Sequence, residues 1–82
     1  MKRNQPLLDI IGENVKRLRI QNEWDQDELA ILVGLTFSYI TKIENGKRDI
    51  KTSTLAAFAD VFKVSIEYLC TKYIPPPDVQ DN

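Results

Sequence analysis

Leu8, Ile11, Val15 and Leu18 follow one another at spacings of three and four, which marks one face of a helix. Lys16, Arg17 and Gln21 fall on the opposite side, so the pattern predicts a first helix over residues 7–21. Asn22 and Glu23 make a short turn. Asp25 is then the N-cap of a second helix, with Glu28 three residues on completing an acidic capping box. Trp24, just before the cap, is placed to staple onto the helix it precedes. Leu29, Ala30 and Val33 point inward, and Gly34, which takes the left-handed conformation without strain, ends the helix. Leu35 is an apolar turn residue. Thr36 caps a third helix whose inward residues are Ile40 and Ile43, and Asn45-Gly46 stops it. After a loop at 47–50, Leu55, Phe58, Ala59 and Phe62 recur at i, i+3, i+4 and i+7, predicting a fourth helix over residues 52–63. Ser65 caps a short fifth helix carrying Ile66, Tyr68 and Leu69. Residues 1–6 read as a polar arm. Residues 74–82, with Pro75, Pro76 and Pro77, read as an extended, disordered tail. The expected organisation is arm 1–6, an all-α domain over 7–73, and tail 74–82.

Composition narrows the function classes. With 82 residues the chain holds one domain, and one this small buries only about 60% of its unfolded surface. Hydrophobic residues at 43% and charged residues at 28% are a globular mixture, which argues against disorder for most of the chain. No apolar run approaches the roughly 20 residues of a membrane span. No apolar h-region follows the basic Met1-Lys2-Arg3, so the reading is cytoplasmic. The single cysteine, Cys70, and the lack of histidine leave no internal disulfide and no Cys/His metal site. Cys70 is expected to be an inert buried thiol, and neither a cofactor nor a small-molecule ligand is implied. An enzyme is disfavoured, because no histidine can activate the cysteine and no paired carboxylates suggest an acid–base site.

Two short helices joined by a tight turn containing Gly34 form the pattern of a helix-turn-helix. Small helical bundles share such turns, so the residues themselves carry more weight. They include Ile11-Gly12, Leu18-Arg19, Asp25-Gln26-Asp27-Glu28-Leu29-Ala30 and Val33-Gly34. They continue with Tyr39-Ile40, Ile43-Glu44-Asn45-Gly46-Lys47 and Val64-Ser65-Ile66-Glu67-Tyr68-Leu69. In these residues the chain resembles the Cro/repressor-type (XRE) helix-turn-helix family over most of its length. The resemblance implies a five-helix, lambda-repressor-like fold with the helix-turn-helix at helices two and three. It also implies a transcription regulator that binds double-stranded DNA as a homodimer.

The family's site carries over residue by residue. Gln26 opens the second helix and is expected to reach the DNA backbone and the first residues of the third helix. Phe37, Ser38, Thr41 and Lys42, with Gln26, form the expected base-reading set. Thr36, Tyr39, Asn45, Gly46, Lys47, Arg48 and Lys51 form the expected backbone-contacting set, the loop giving amides and basic side chains to phosphates. Arg19 and Glu44 are expected to pair structurally. The chemistry agrees: a helix fits the major groove, and its N-terminal side chains reach base edges first. Lys42 can donate to guanine O6 or N7, Ser38 is a permissive reader, and Phe37 can only touch an apolar group such as a thymine methyl.

A net charge of −1 stands against this reading, since nucleic-acid binders are usually basic. Where the charge sits matters more. Residues 36–51 hold Lys42, Lys47, Arg48 and Lys51 against Glu44 and Asp49, and Arg19 would take up Glu44. Asp25, Asp27 and Glu28 flank Gln26, with helix capping as their ordinary explanation. For dimerisation the apolar C-terminal part offers Ile66, Tyr68, Leu69 and Tyr73, with Phe62 and Ile74, some of which must belong to the core. The rival reading is a protein-interaction module or antitoxin-like partner on the same fold, with Phe37 serving as a packing or partner contact.

Overall fold

The computed structural model describes residues 4–77; Met1 to Arg3 of the arm and residues 78–82 of the tail lie outside that range. It contains α1 (Gln5–Gln21), α2 (Gln26–Val33), α3 (Phe37–Glu44), α4 (Thr52–Phe62) and α5 (Ile66–Leu69). No strand occurs among the described residues. The expected caps form. Asp25 and Glu28 close a reciprocal capping box, Thr36 accepts from the Tyr39 amide, and Ser65 accepts from the Tyr68 amide. Gly34 takes φ 71° at the end of α2.

The first helix starts two residues earlier than its apolar spacing indicates. The Asn4 side chain accepts from the Leu7 amide at 3.2 Å. Pro6 then sits in the first turn, where a missing N–H costs nothing. Trp24 stacks on Phe62 with ring centroids 5.9 Å apart, so it ties the α1–α2 turn to α4.

α1 packs against α3, α4 and α5, while α2 packs against α3 and α4. Their shared core is Ile11, Val15, Leu18, Leu29, Ala30, Ile40, Ile43, Phe58, Ala59, Phe62 and Leu69. Each large side chain fully removed from water here contributes about 1.5–3 kcal/mol of transfer free energy. Leu69 is 0% exposed, which corrects its placement in a dimer interface: it closes the core from α5. Phe62 is likewise a core residue. Cys70 is half-buried against that core rather than enclosed by it.

A buried amide secures the short α5. Asn14 of α1 is 1% exposed and donates from Nδ2 to the carbonyls of Leu69 at 2.8 Å and Thr71 at 2.9 Å. These carbonyls, at and just beyond the helix end, have no helical donor of their own. Asn14 Oδ1 accepts from Arg17 Nη1 at 2.7 Å, and Arg17 Nη2 donates to the Tyr68 hydroxyl at 2.7 Å. The same guanidinium lies 3.7 Å above the Tyr73 ring.

Gly12 sets how closely α1 crosses α3. A Cβ at this position would collide with the Ile43 carbonyl oxygen and come within 3.0 Å of that of Glu44. Both obstacles are backbone, so the helices would have to separate. Gly12→Ala is therefore expected to destabilise the fold by about 1–3 kcal/mol, the usual cost of overpacking. Urea unfolding checks this; a stability equal to the parent would show that the crossing has slack.

Candidate nucleic-acid interface

The turn between α2 and α3 is short and internally bonded. Leu35 N donates to the Ala30 carbonyl at 2.9 Å, and Thr36 already caps the next helix. α3 is eight residues, about 12 Å long at 1.5 Å per residue, and a helix with its side chains is about 10–12 Å across, a thickness that the roughly 12 Å wide DNA major groove admits. Its Ile40 and Ile43 face the core. Its other side presents exposed Phe37, Ser38 and Lys42, with Phe37 46% exposed. Tyr39 and Thr41 are half-buried at the margins.

Behind that surface lies a polar network. Arg19 Nε donates to Glu44 Oε2 at 2.7 Å and Arg19 Nη2 to Glu44 Oε1 at 3.1 Å, the two-pronged pairing that suits a guanidinium. The two side chains are 12% and 2% exposed. Arg19 Nη1 also donates to the Trp24 carbonyl at 2.8 Å. Glu44 Oε1 accepts a further bond from Gln26 Nε2 at 3.0 Å. Gln26 Oε1 accepts from the Thr41 hydroxyl at 2.9 Å; the same hydroxyl lies 3.2 Å from the Phe37 carbonyl, so its one proton serves both. Gln26 thus reaches the middle and end of α3, not the first residues of that helix as expected.

The loop after α3 closes on itself. Asn45 N donates to the Thr41 carbonyl, Gly46 N to that of Ile43 and Lys47 N to that of Lys42, at 3.1, 3.0 and 2.8 Å. This corrects the expectation that the amides of Asn45, Gly46 and Lys47 are offered to phosphates: they satisfy the carbonyls of α3. Gly46 is buried, takes φ 68°, and accepts from Gln5 Nε2 at 2.7 Å. A side chain there would run into Asp9. What the loop turns outward is its side chains. Tyr39, Lys42, Lys47, Arg48, Asp49 and Lys51 line one open concavity, and Arg48 lies 4.3 Å over the Tyr39 ring.

The structure therefore gathers Phe37, Ser38, Lys42, Tyr39, Lys47, Arg48 and Lys51 on one side of the molecule. It holds Arg19 and Glu44 behind them and turns the Thr41 hydroxyl inward. The acids beside Gln26 are partly accounted for. Asp25 Oδ1 accepts the Glu28 amide at 2.8 Å, and Glu28 Oε1 accepts the Asp25 amide at 3.0 Å. Sequence reasoning missed the contacts that Asn14 and Gln5 make with backbone carbonyls 41 to 57 residues away; no local pattern announces them.

A tight, capped turn that presents a short helix beside a cationic loop defines a helix-turn-helix protein. Residues 15–69 match the HTH_3 helix-turn-helix model, and the chain belongs to that family. It is 34% identical over 64 residues to control protein C.SmaI of Serratia marcescens, covering 78% of this chain and 76% of the relative. It is 32% identical over 66 residues to the transcriptional repressor RghR of Bacillus subtilis, covering 79% of this chain but only 49% of RghR. Among solved structures it resembles the restriction-modification controller protein C.AhdI of Aeromonas hydrophila. That match has a TM-score of 0.71 at 27% identity and covers 76% of this chain and 94% of C.AhdI.

Removing one member of a buried ion pair strands the other. Arg19→Ala is therefore expected to lower the unfolding free energy by about 3 kcal/mol, whereas replacing Arg19 and Glu44 together by apolar residues costs less than the sum of the single losses. Denaturant unfolding of the three variants tests this; strictly additive losses would show that the pair is not coupled.

Proposed function

We propose that this protein is a sequence-specific DNA-binding regulator of transcription that lays α3 in the major groove of a two-fold-symmetric site. The observation that carries this reading is the sorting of charge around α3. Four basic side chains stand on the loop and exposed helix face, while Glu44 is withdrawn into the pair with Arg19. In this reading Lys42 and Ser38 meet base edges, Phe37 meets a thymine methyl, and Arg48, Lys47 and Lys51 meet phosphates. The names of the relatives, a control protein, a repressor and a restriction-modification controller, point the same way.

Selection from random duplex DNA is expected to enrich a palindrome. On the enriched site Lys42→Ala and Arg48→Ala are each expected to cost about 1–3 kcal/mol, or roughly 5- to 150-fold in affinity. Arg48→Ala should also reduce the salt slope by about one, the signature of a lost phosphate contact. Exposed Phe37 would equally suit a protein partner. Enrichment of no sequence at low salt, with both variants indifferent, would favour that rival.

We place the homodimer on the face formed by Ile66, Tyr68, Tyr73 and Ile74, which are exposed in the single chain, with Ile74 at 80%. Two-fold pairing there is an isologous contact, and such dimers set their reading helices roughly 34 Å apart, one turn of DNA. Sedimentation is expected to show a dimer that Ile66→Lys weakens. A monomer at high micromolar concentration, both alone and on the palindrome, would rule this out.

A further inference from the structure

The side chains that α3 turns toward α2 determine which way round the Gln26 amide lies. Both Glu44 oxygens receive bonds from Arg19, and a carboxylate only accepts. The Gln26 atom 3.0 Å from Glu44 Oε1 is therefore the nitrogen. At the other end of the same amide, the oxygen accepts from Thr41 at 2.9 Å. A flipped amide would set two oxygens against each other at Glu44. Thr41, which can donate or accept, would tolerate either orientation. Glu44 thus chooses the orientation and Thr41 holds it. The second hydrogen on Gln26 Nε2 makes no hydrogen bond within the described residues. Phosphate diester oxygens accept and do not donate, so this N–H is the group through which Gln26 can bond to one.

We infer that Thr41 and Glu44 are positioning residues that hold the Gln26 amide with one N–H reserved for a DNA phosphate oxygen. The inference rests on the DNA-binding reading above and sharpens it. Thr41 is half-buried with its hydroxyl proton directed at Gln26 and its own helix, so it acts through Gln26 rather than on a base. Glu44, with its side chain 2% exposed, does not meet DNA at all; its contribution is the acceptor-only surface that excludes the flipped amide.

The test uses the full chain and the duplex that the parent protein enriches. Affinity is measured by fluorescence anisotropy for Gln26→Ala, Thr41→Val, Thr41→Ser and the Gln26→Ala/Thr41→Val double variant, with thermal unfolding of each alongside. Gln26→Ala is expected to bind about tenfold more weakly, the scale of one lost hydrogen bond to a charged group. Thr41→Val, which keeps the shape and removes the hydroxyl, should lose roughly three- to tenfold, and Thr41→Ser should restore affinity to within about twofold. The double variant should bind no worse than Gln26→Ala alone, since Thr41 acts through Gln26. Glu44→Gln, read at a temperature where circular dichroism shows it folded, should reproduce the Thr41→Val loss. A duplex carrying a neutral methylphosphonate at the contacted position should weaken the parent but not Gln26→Ala.

Losses that multiply in the double variant would mean that Thr41 makes its own contact, which overturns the inference. So would parent-like binding by Thr41→Val, or a Thr41→Ser variant as weak as Thr41→Val. Parent-like binding by Gln26→Ala would overturn it while leaving DNA binding intact. If the parent enriches no sequence, the DNA-binding reading has failed first, and the inference falls with it.

Discussion

The paired charges of Arg19 and Glu44 are the constraint that orders the rest of this surface. One carboxylate, almost wholly withdrawn from water, is reached from α1 by Arg19 and from α2 by Gln26, while it belongs to the last residue of α3. Arg19 also holds the Trp24 carbonyl, so the turn that leads into α2 is fixed by the same group. Desolvating two charges is costly, and a buried pair is weak evidence of net stability. Its value here is geometric. It offers α1, α2 and α3 one arrangement in which every partner of the carboxylate is a donor.

That constraint works because the helices can approach. An eight-residue helix is too short to hold its shape in water alone, so α3 depends on the surface it rests upon. Gly12 lets α1 come close to the backbone at Ile43 and Glu44, and Gly46 lets the following loop meet Asp9 and Gln5. α1 is a 17-residue strut: Arg19 near one end holds Glu44, the last residue of α3, and Gln5 at the other end holds Gly46 in the loop that follows. A short helix seated by backbone contacts can present its outer side chains without needing to be stable by itself.

The same seating resolves the tension between an acidic chain and a cationic surface. Glu44 is withdrawn behind α3, and Asp25 and Glu28 bond to each other's amides at the start of α2, where negative charge complements the helix dipole. Lys42, Lys47, Arg48 and Lys51 are exposed, with Arg48 steadied over Tyr39. Net charge describes the whole molecule, whereas a charged partner meets a local field.

The features legible in the chain were local ones. The three-and-four spacing located the helices, because a helix repeats its inward face at that period. Asp25 with Glu28, Thr36, Ser65 and Gly34 marked helix ends, because caps bond within a few residues of themselves. Asn4 and Pro6 carry the same kind of signal for α1, but no apolar repeat reaches that far forward, so the spacing alone starts the helix two residues late. The Arg19–Glu44 pair, although distant in sequence, was legible through the family's pattern. What only the tertiary structure decided depended on distant backbone and on competition between neighbours. Leu69 and Tyr68 are adjacent apolar residues, yet only one is enclosed by the core. Asn14 binds carbonyls up to 57 residues away, and Gln5 reaches the Gly46 carbonyl 41 residues on. The Gln26 amide took its orientation from an acceptor on another helix. Periodicity and caps determine which segments become helices and which face each buries; which buried or half-buried polar atom meets which partner exists only after those helices have packed.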